Sequence, residues 1–75
     1  MTLITVLERR FAMKDLGKTI AKHRKDHKLK QSQLAIELEK YDIYVKPNTV
    51  SAWESGLSQP NSRQLLAICE LLDIH

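Results

Sequence analysis

The chain has 75 residues, with twelve Lys/Arg against nine Asp/Glu and a net charge of +3. A chain of this length makes one small domain that buries only about 60% of its unfolded surface, and a hydrophobic content of 43% argues against wholesale disorder. Eleven leucines against two glycines and two prolines favour helices over a sheet sandwich, and no apolar run approaches the roughly 18 residues that cross a bilayer. The opening MTLITVLERRF has neither a leading basic region nor a small-residue cleavage site, so it makes a poor secretory signal. A lone cysteine, Cys69, excludes an internal disulfide and reads as a small core residue, which points to a cytoplasmic protein. The charge is uneven. Residues 8–30 carry nine Lys/Arg against three Asp/Glu, and residues 31–75 carry three against six, an asymmetry that suits one face turned to a polyanion.

Residues 1–13 stand apart as an N-terminal extension. Leu3, Leu7 and Phe11, spaced by four, fit a helical stripe. The alternative is a translated leader, because Glu8-Arg9-Arg10 can be encoded by a purine-rich stretch resembling a ribosome-binding site, with Met13 as the start that follows.

A first helix is expected from Lys14, capped by Asp15, with Leu16 and Ile20 inward and Lys18, Lys22 and Lys25 outward, ending near His27 or Lys28. A second spans about Gln31 to Lys40 on a narrow apolar face of Leu34, Ala35 and Leu38. EKYDIYV, from residue 39, either extends this helix or forms an irregular turn, with Tyr41, Ile43 and Tyr44 expected at the surface. The third helix starts with Pro47 at its first position and ends at Gly56, with Val50 and Trp53 in the core. Its cap is Lys46, a poor one, or Asn48, a better one that shortens the helix. LSQPN is a loop. The fourth helix runs from about Ser62 to Leu72, capped by Asn61 with Gln64 in capping-box position. Leu65, Ile68, Cys69 and Leu72 at i, i+3, i+4 and i+7 are the strongest periodic signal in the chain. The expectation is an all-α, compact domain of four to five helices over residues 14–75, in which a small apolar helix leads to a shorter polar-fronted one, the layout of a helix-turn-helix.

Four motifs then resemble a family. LKQSQLA at 29–35 looks like the L-x-Q-x-x-L-A that opens the second helix of lambda-repressor/Cro-like (XRE-type) domains. NTVSAWESG at 48–56 is similar to that family's S-T-I-S-x-W-E-x-G, and PNSRQLLAICELLDI at 60–74 to its P-x-x-x-x-L-x-x-I-A-x-x-L-x-V. LGKTIAKHRK at 16–25 resembles its first helix. Each motif alone is weak, but four in order over residues 14–75 are specific. The chain departs from the pattern in a longer turn, where EKYDIY replaces a glycine. It also has Lys30 and Lys46 at positions that prefer Ser or Thr, His23 where an apolar residue is common, and Ser62 in place of a frequent Leu.

The resemblance implies a DNA-binding domain of a prokaryotic or phage transcriptional regulator, most simply a repressor, reading an operator's major groove with the third helix. Asn48, Ser51 and Ala52, with Pro47 beside them, fall on its outer side. An Asn pairs bidentately with adenine, a Ser bonds either kind of base, and an Ala meets a thymine methyl. Asn48 is the favoured reader, with its alternative role as a cap. For Gln31 the resemblance implies that its amide meets a phosphate or the edge of a reading residue, the alternative being a solvated polar residue; Thr49 and Ser55 match family positions that support the helix or touch phosphate, and Lys28, Lys30, Lys46 and Arg63 are further phosphate candidates or simply solvated charges. Arg24 and Glu54 match a family pair that forms a salt bridge between the first and third helices. Members typically act as homodimers on near-palindromic double-stranded operators. His23 and His27 lie at i, i+4 with no third ligand, so no metal is expected; no cofactor, small-molecule ligand, membrane or catalytic constellation is implied either. The rival reading is a protein-interaction module such as the antitoxin half of a toxin–antitoxin pair, supported by the long aromatic turn.

Overall fold

A computed structural model describes residues 13–74. The two readings of the N-terminal extension, with Leu3, Leu7 and Phe11, lie outside the described residues, as does His75. The described residues form four α-helices and one 3-10 turn, with no strand: α1 (Met13–Asp26), α2 (Gln31–Leu38), the turn (Glu39–Tyr41), α3 (Pro47–Ser55) and α4 (Ser62–Leu71). α3 packs against α1 and α2, and α4 closes over α2.

One core unites them. Ile20 from α1, Leu34, Ala35 and Leu38 from α2, Val50 and Trp53 from α3, and Leu65, Ala67, Ile68 and Cys69 from α4 are buried, with Leu72 and Ile74 just beyond. Each large apolar side chain removed from water in this way contributes about 1.5–3 kcal/mol, most of what so small a domain has to set against chain entropy. Leu16, expected in the core, lies only half-buried at its margin. Burial raises the pKa of the Cys69 thiol, which holds it neutral among its apolar neighbours.

Several helix boundaries differ from the sequence expectation, and α1 ends at Asp26, short of His27 and Lys28. Asp15 sits within α1 and is not its cap. α2 stops at Leu38, before Lys40, because the chain tightens into the 3-10 turn. α4 ends at Leu71, and Leu72 is its C-cap. At the other end of α4, Asn61 Oδ1 accepts from Gln64 N at 2.8 Å and Gln64 Oε1 accepts from Asn61 N at 2.8 Å, a complete capping box.

The helix ends share one device. Lys28, Asp42 and Asp73 are left-handed, with φ of 57, 58 and 53°. Each is followed by an apolar residue whose amide reaches back to a carbonyl five residues earlier: Leu29 N to Arg24 O at 3.1 Å, Ile43 N to Leu38 O at 3.2 Å, Ile74 N to Cys69 O at 2.9 Å. This is Schellman closure achieved without glycine, at a strain of roughly 1–2 kcal/mol per residue that the apolar follower offsets by burial. It corrects the reading of the long turn. Ile43, expected at the surface, is buried; Tyr41 is half-buried, and Tyr44 is exposed. Asp42 performs the turn that a glycine serves in the family pattern.

Candidate nucleic-acid interface

Pro47 occupies the first turn of α3, and Lys46, in extended backbone, is its N-cap without a side-chain cap bond. The amides of Thr49 and Val50 donate to Lys46 O at 2.9 and 3.3 Å, so Asn48 lies inside the helix and the alternative of an Asn48 cap is excluded. Val50 and Trp53 point inward. Asn48 and Ser51 are exposed on the opposite side with Ser55, and Ala52 lies half-buried beside them; Thr49 is half-buried on the flank. Ser55 Oγ is not free, since it donates to Ala52 O at 3.2 Å. Gly56, at φ 84°, then stops the helix.

A charged cluster holds this helix in place. Arg24 Nε donates to Glu54 Oε2 at 2.6 Å and Nη2 to Glu54 Oε1 at 3.0 Å, a two-pronged pair spanning α1 and α3. Nη1 donates to Leu29 O at 2.7 Å, on the joint between α1 and α2. The two side chains are only 10% and 9% exposed. The hydrogen bonds from Arg24 to Glu54 raise the guanidinium pKa further, against the effect of burial. Gln31 Nε2 also donates to Glu54 Oε1, at 3.0 Å. One carboxylate therefore ties together α1, the first residue of α2 and α3.

Sequence reasoning placed Arg24 opposite Glu54 but missed Gln31 joining them, and it missed Gly17. An ideal Cβ built on Gly17 would stand 2.4 Å from Trp53 O and 2.6 Å from Glu54 O, so α1 crosses the backbone of α3 where only hydrogen fits. A glycine inside an otherwise helical run was the available signal.

The cations fall into two groups. Lys28, Lys30 and Lys46 are exposed at the two helix joints, with no ion-pair partner among the described residues. Lys30 is the N-cap of α2; its ammonium cannot accept a hydrogen bond, so only half of a capping box forms, Gln33 Oε1 accepting from Lys30 N at 2.7 Å. Arg63 behaves differently. Its Nη2 donates to Tyr41 O at 3.0 Å, which draws the guanidinium to the turn and away from the set of free phosphate candidates.

His27 is held by its neighbours. Nδ1 donates to the His23 carbonyl at 2.9 Å, and Nε2 lies 3.5 Å from Asp73 Oδ2. The His23 carbonyl and then the Asp73 carboxylate raise its pKa. Both ring nitrogens act as donors only in the imidazolium. A raised folded pKa contributes stability below the unfolded value of about 6.5, which is lost as pH rises through the folded value. Asp73→Asn, which keeps the left-handed turn, is expected to lower the melting temperature slightly at about pH 5 and not at about pH 8; a difference constant with pH would refute the contact. Among the described residues no group of three or more His, Cys, Asp or Glu is placed to hold a metal ion, and no helix is long and apolar enough to cross a membrane.

This geometry agrees with a match to a protein family. The model of the Helix-turn-helix family matches residues 20–75, from the middle of α1 to the end of the chain. No curated protein and no solved structure matches. The match covers most of the chain, including Arg24, Gln31 and Glu54 and every motif from Ile20 onward, so the chain belongs to the lambda-repressor/Cro-like (XRE-type) helix-turn-helix family of DNA-binding regulators.

Proposed function

We propose that residues 14–75 form the operator-reading domain of a transcriptional repressor, with residues 1–13 as an extension, working in the cytoplasm of a bacterial or phage-infected cell. The observation that carries this is the exposed side of α3. Asn48 and Ser51 reach solvent there with Ala52 between them, while the buried face and Glu54 fix the helix to the rest of the domain. Asn48 is the principal base reader, Ser51 and Ala52 assist, and Pro47 approaches a base edge at the helix entrance. Thr49 and Ser55 flank the groove. Lys28, Lys30 and Lys46 neutralise phosphates, and Gln31 uses its second amide hydrogen for the same purpose. Two copies bind neighbouring half-sites about 34 Å apart or a multiple of it. No catalytic step is involved.

Selection of bound sites from random DNA, repeated over a salt series, tests this. A recovered near-palindromic site and a steep loss of affinity with salt are expected. Absence of retention at low salt overturns the reading and favours the antitoxin-like interaction module, for which exposed Tyr44 is the remaining support. Asn48→Ala is expected to weaken the selected site by about 1–3 kcal/mol and relax one base position. Its melting temperature should stay unchanged, because Asn48 is exposed and caps nothing. Equal loss on all sequences would remove Asn48 as a reader.

A further inference from the structure

The segment that joins the 3-10 turn to α3 alternates in burial. Ile43 is buried, Tyr44 is 73% exposed, Val45 is half-buried against the core and Lys46 is exposed. A period of two belongs to extended backbone, and Lys46 has φ −92° and ψ 159°. Ile43 and Val45 therefore anchor the segment, while Tyr44 and Lys46 stand on its outer side, about 6–7 Å apart along the chain. Both ends of the segment are tied down. Ile43 N donates to Leu38 O at 3.2 Å, and Arg63 Nη2 holds the Tyr41 carbonyl. At α3 the Lys46 carbonyl accepts from Thr49 N and Val50 N. The exposed run continues from Lys46 through Pro47 to Asn48. Tyr44 lies in the longer turn by which the chain departs from the family pattern, so the resemblance assigns it no role.

We propose, resting on the operator-reading function above, that Tyr44 is a further DNA-contacting residue: its phenol O–H donates to a backbone phosphate next to the one that Lys46 neutralises. A duplex whose base edges meet Asn48 brings the phosphates of a flanking strand to the entrance of α3, where Lys46 and then Tyr44 stand. Two outward side chains on extended backbone are spaced to reach neighbouring phosphates of one strand. A tyrosine suits the place because its ring lies on deoxyribose while its hydroxyl bonds the phosphate oxygen. The frame that carries it is already fixed by Ile43, Val45 and the Lys46 carbonyl, so little ordering is left for binding to impose. A protein partner fits this surface less well. The exposed neighbours of Tyr44 along the chain are Asp42, Lys46, Pro47 and Asn48, which make no apolar patch around it. The two contacts differ in kind. Lys46 displaces a counterion from the duplex, and the neutral phenol fixes register without displacing one.

Fluorescence anisotropy of the full chain on the duplex recovered by site selection, and on a scrambled duplex, tests the proposal. Tyr44→Phe deletes one hydroxyl and keeps the ring. It should weaken binding about tenfold on both duplexes, with the salt slope unchanged. Lys46→Ala should instead reduce that slope by about one. Duplexes carrying a single uncharged methylphosphonate then locate the contact. At one position the substitution should weaken the parent protein about tenfold and leave Tyr44→Phe no weaker than before, and the adjacent position should behave in the same way toward Lys46→Ala. Circular dichroism should give Tyr44→Phe the parental melting temperature, because the side chain is exposed. Unchanged binding by Tyr44→Phe, or a loss confined to the selected sequence, overturns the phosphate contact and leaves the operator-reading function standing. No retention of the parent protein on any duplex at low salt overturns both.

Discussion

Glu54→Ala is expected to destabilise the domain by about 3–5 kcal/mol, the range for removing one partner of a buried ion pair. The loss is not that of a surface contact, which would be worth about 0–1 kcal/mol. Arg24 is 8% exposed and cannot swing into water without vacating its place between α1 and α3. With the carboxylate gone it retains only the Leu29 carbonyl, and Gln31 loses its partner as well. A domain of this length has about 4–11 kcal/mol in total, so the variant should unfold at much lower urea, with much of its cooperativity gone. A buried pair need not add net stability over an apolar one, and replacing Arg24 and Glu54 together by Met and Leu should recover most of the loss. Urea titration followed by circular dichroism measures both. A midpoint for Glu54→Ala within error of the parent would show that the pair holds nothing. In the double variant, recovered stability with lost operator selectivity would show that the charges aim α3 and do not merely anchor it.

The second large effect is at Gly17, where Gly17→Ala should cost about 1–3 kcal/mol net. In an ordinary exposed helix the same change would gain about 1 kcal/mol from backbone entropy. Here the added methyl meets the Trp53 and Glu54 carbonyls, main-chain atoms that no rotamer change can move aside. α1 must lift away from α3, and the 2.6 Å bond from Arg24 to Glu54 lengthens with it. Overpacking and the strained ion pair outweigh the entropy gain. Trp53, the single tryptophan of the chain, reports the displacement directly through its fluorescence. Lys18→Ala, one residue on and exposed, is the control and should stay within about 0.5 kcal/mol. Stabilisation by Gly17→Ala would mean that the helices do not cross so closely.

These two sites also mark how far the sequence could be read. The four helices were legible because their apolar residues recur at helical spacing and because Pro47, Gly56, Asn61 and Gln64 punctuate them with known chemistry. The choice between Lys46 and Asn48 as cap was not legible. Propensity favours Asn, but Pro47 has already committed the backbone to helix one residue earlier. The turn after α2 was misread at Ile43 because nothing in its local pattern separates an exposed aromatic stretch from an aspartate in the left-handed region with a buried follower. At the site, spacing placed Asn48, Ser51 and Ala52 on one side of a helix. The convergence of Arg24, Gln31 and Glu54 depends on how three helices cross, and only the family resemblance brought the first and last of these together. Gly17 belongs to the same class: its meaning lies in a helix 36 residues away.

The three left-handed stops have a consequence for how quickly the domain forms. Lys28, Asp42 and Asp73 each end their segment through hydrogen bonds that span five residues or fewer, and the residue that follows each of them belongs to the core or packs against it. The ends of those helices, and their docking into the core, are thus specified by groups that are neighbours along the chain and meet without closing a long loop. Proteins rich in such local contacts fold on the order of microseconds to milliseconds. The slow step should then be the meeting of α1 with α3, where Gly17 and Arg24 find residues 30 or more positions away. α3 should then be the last helix to be set in place, and its contact with α1 should limit the rate at which the domain forms.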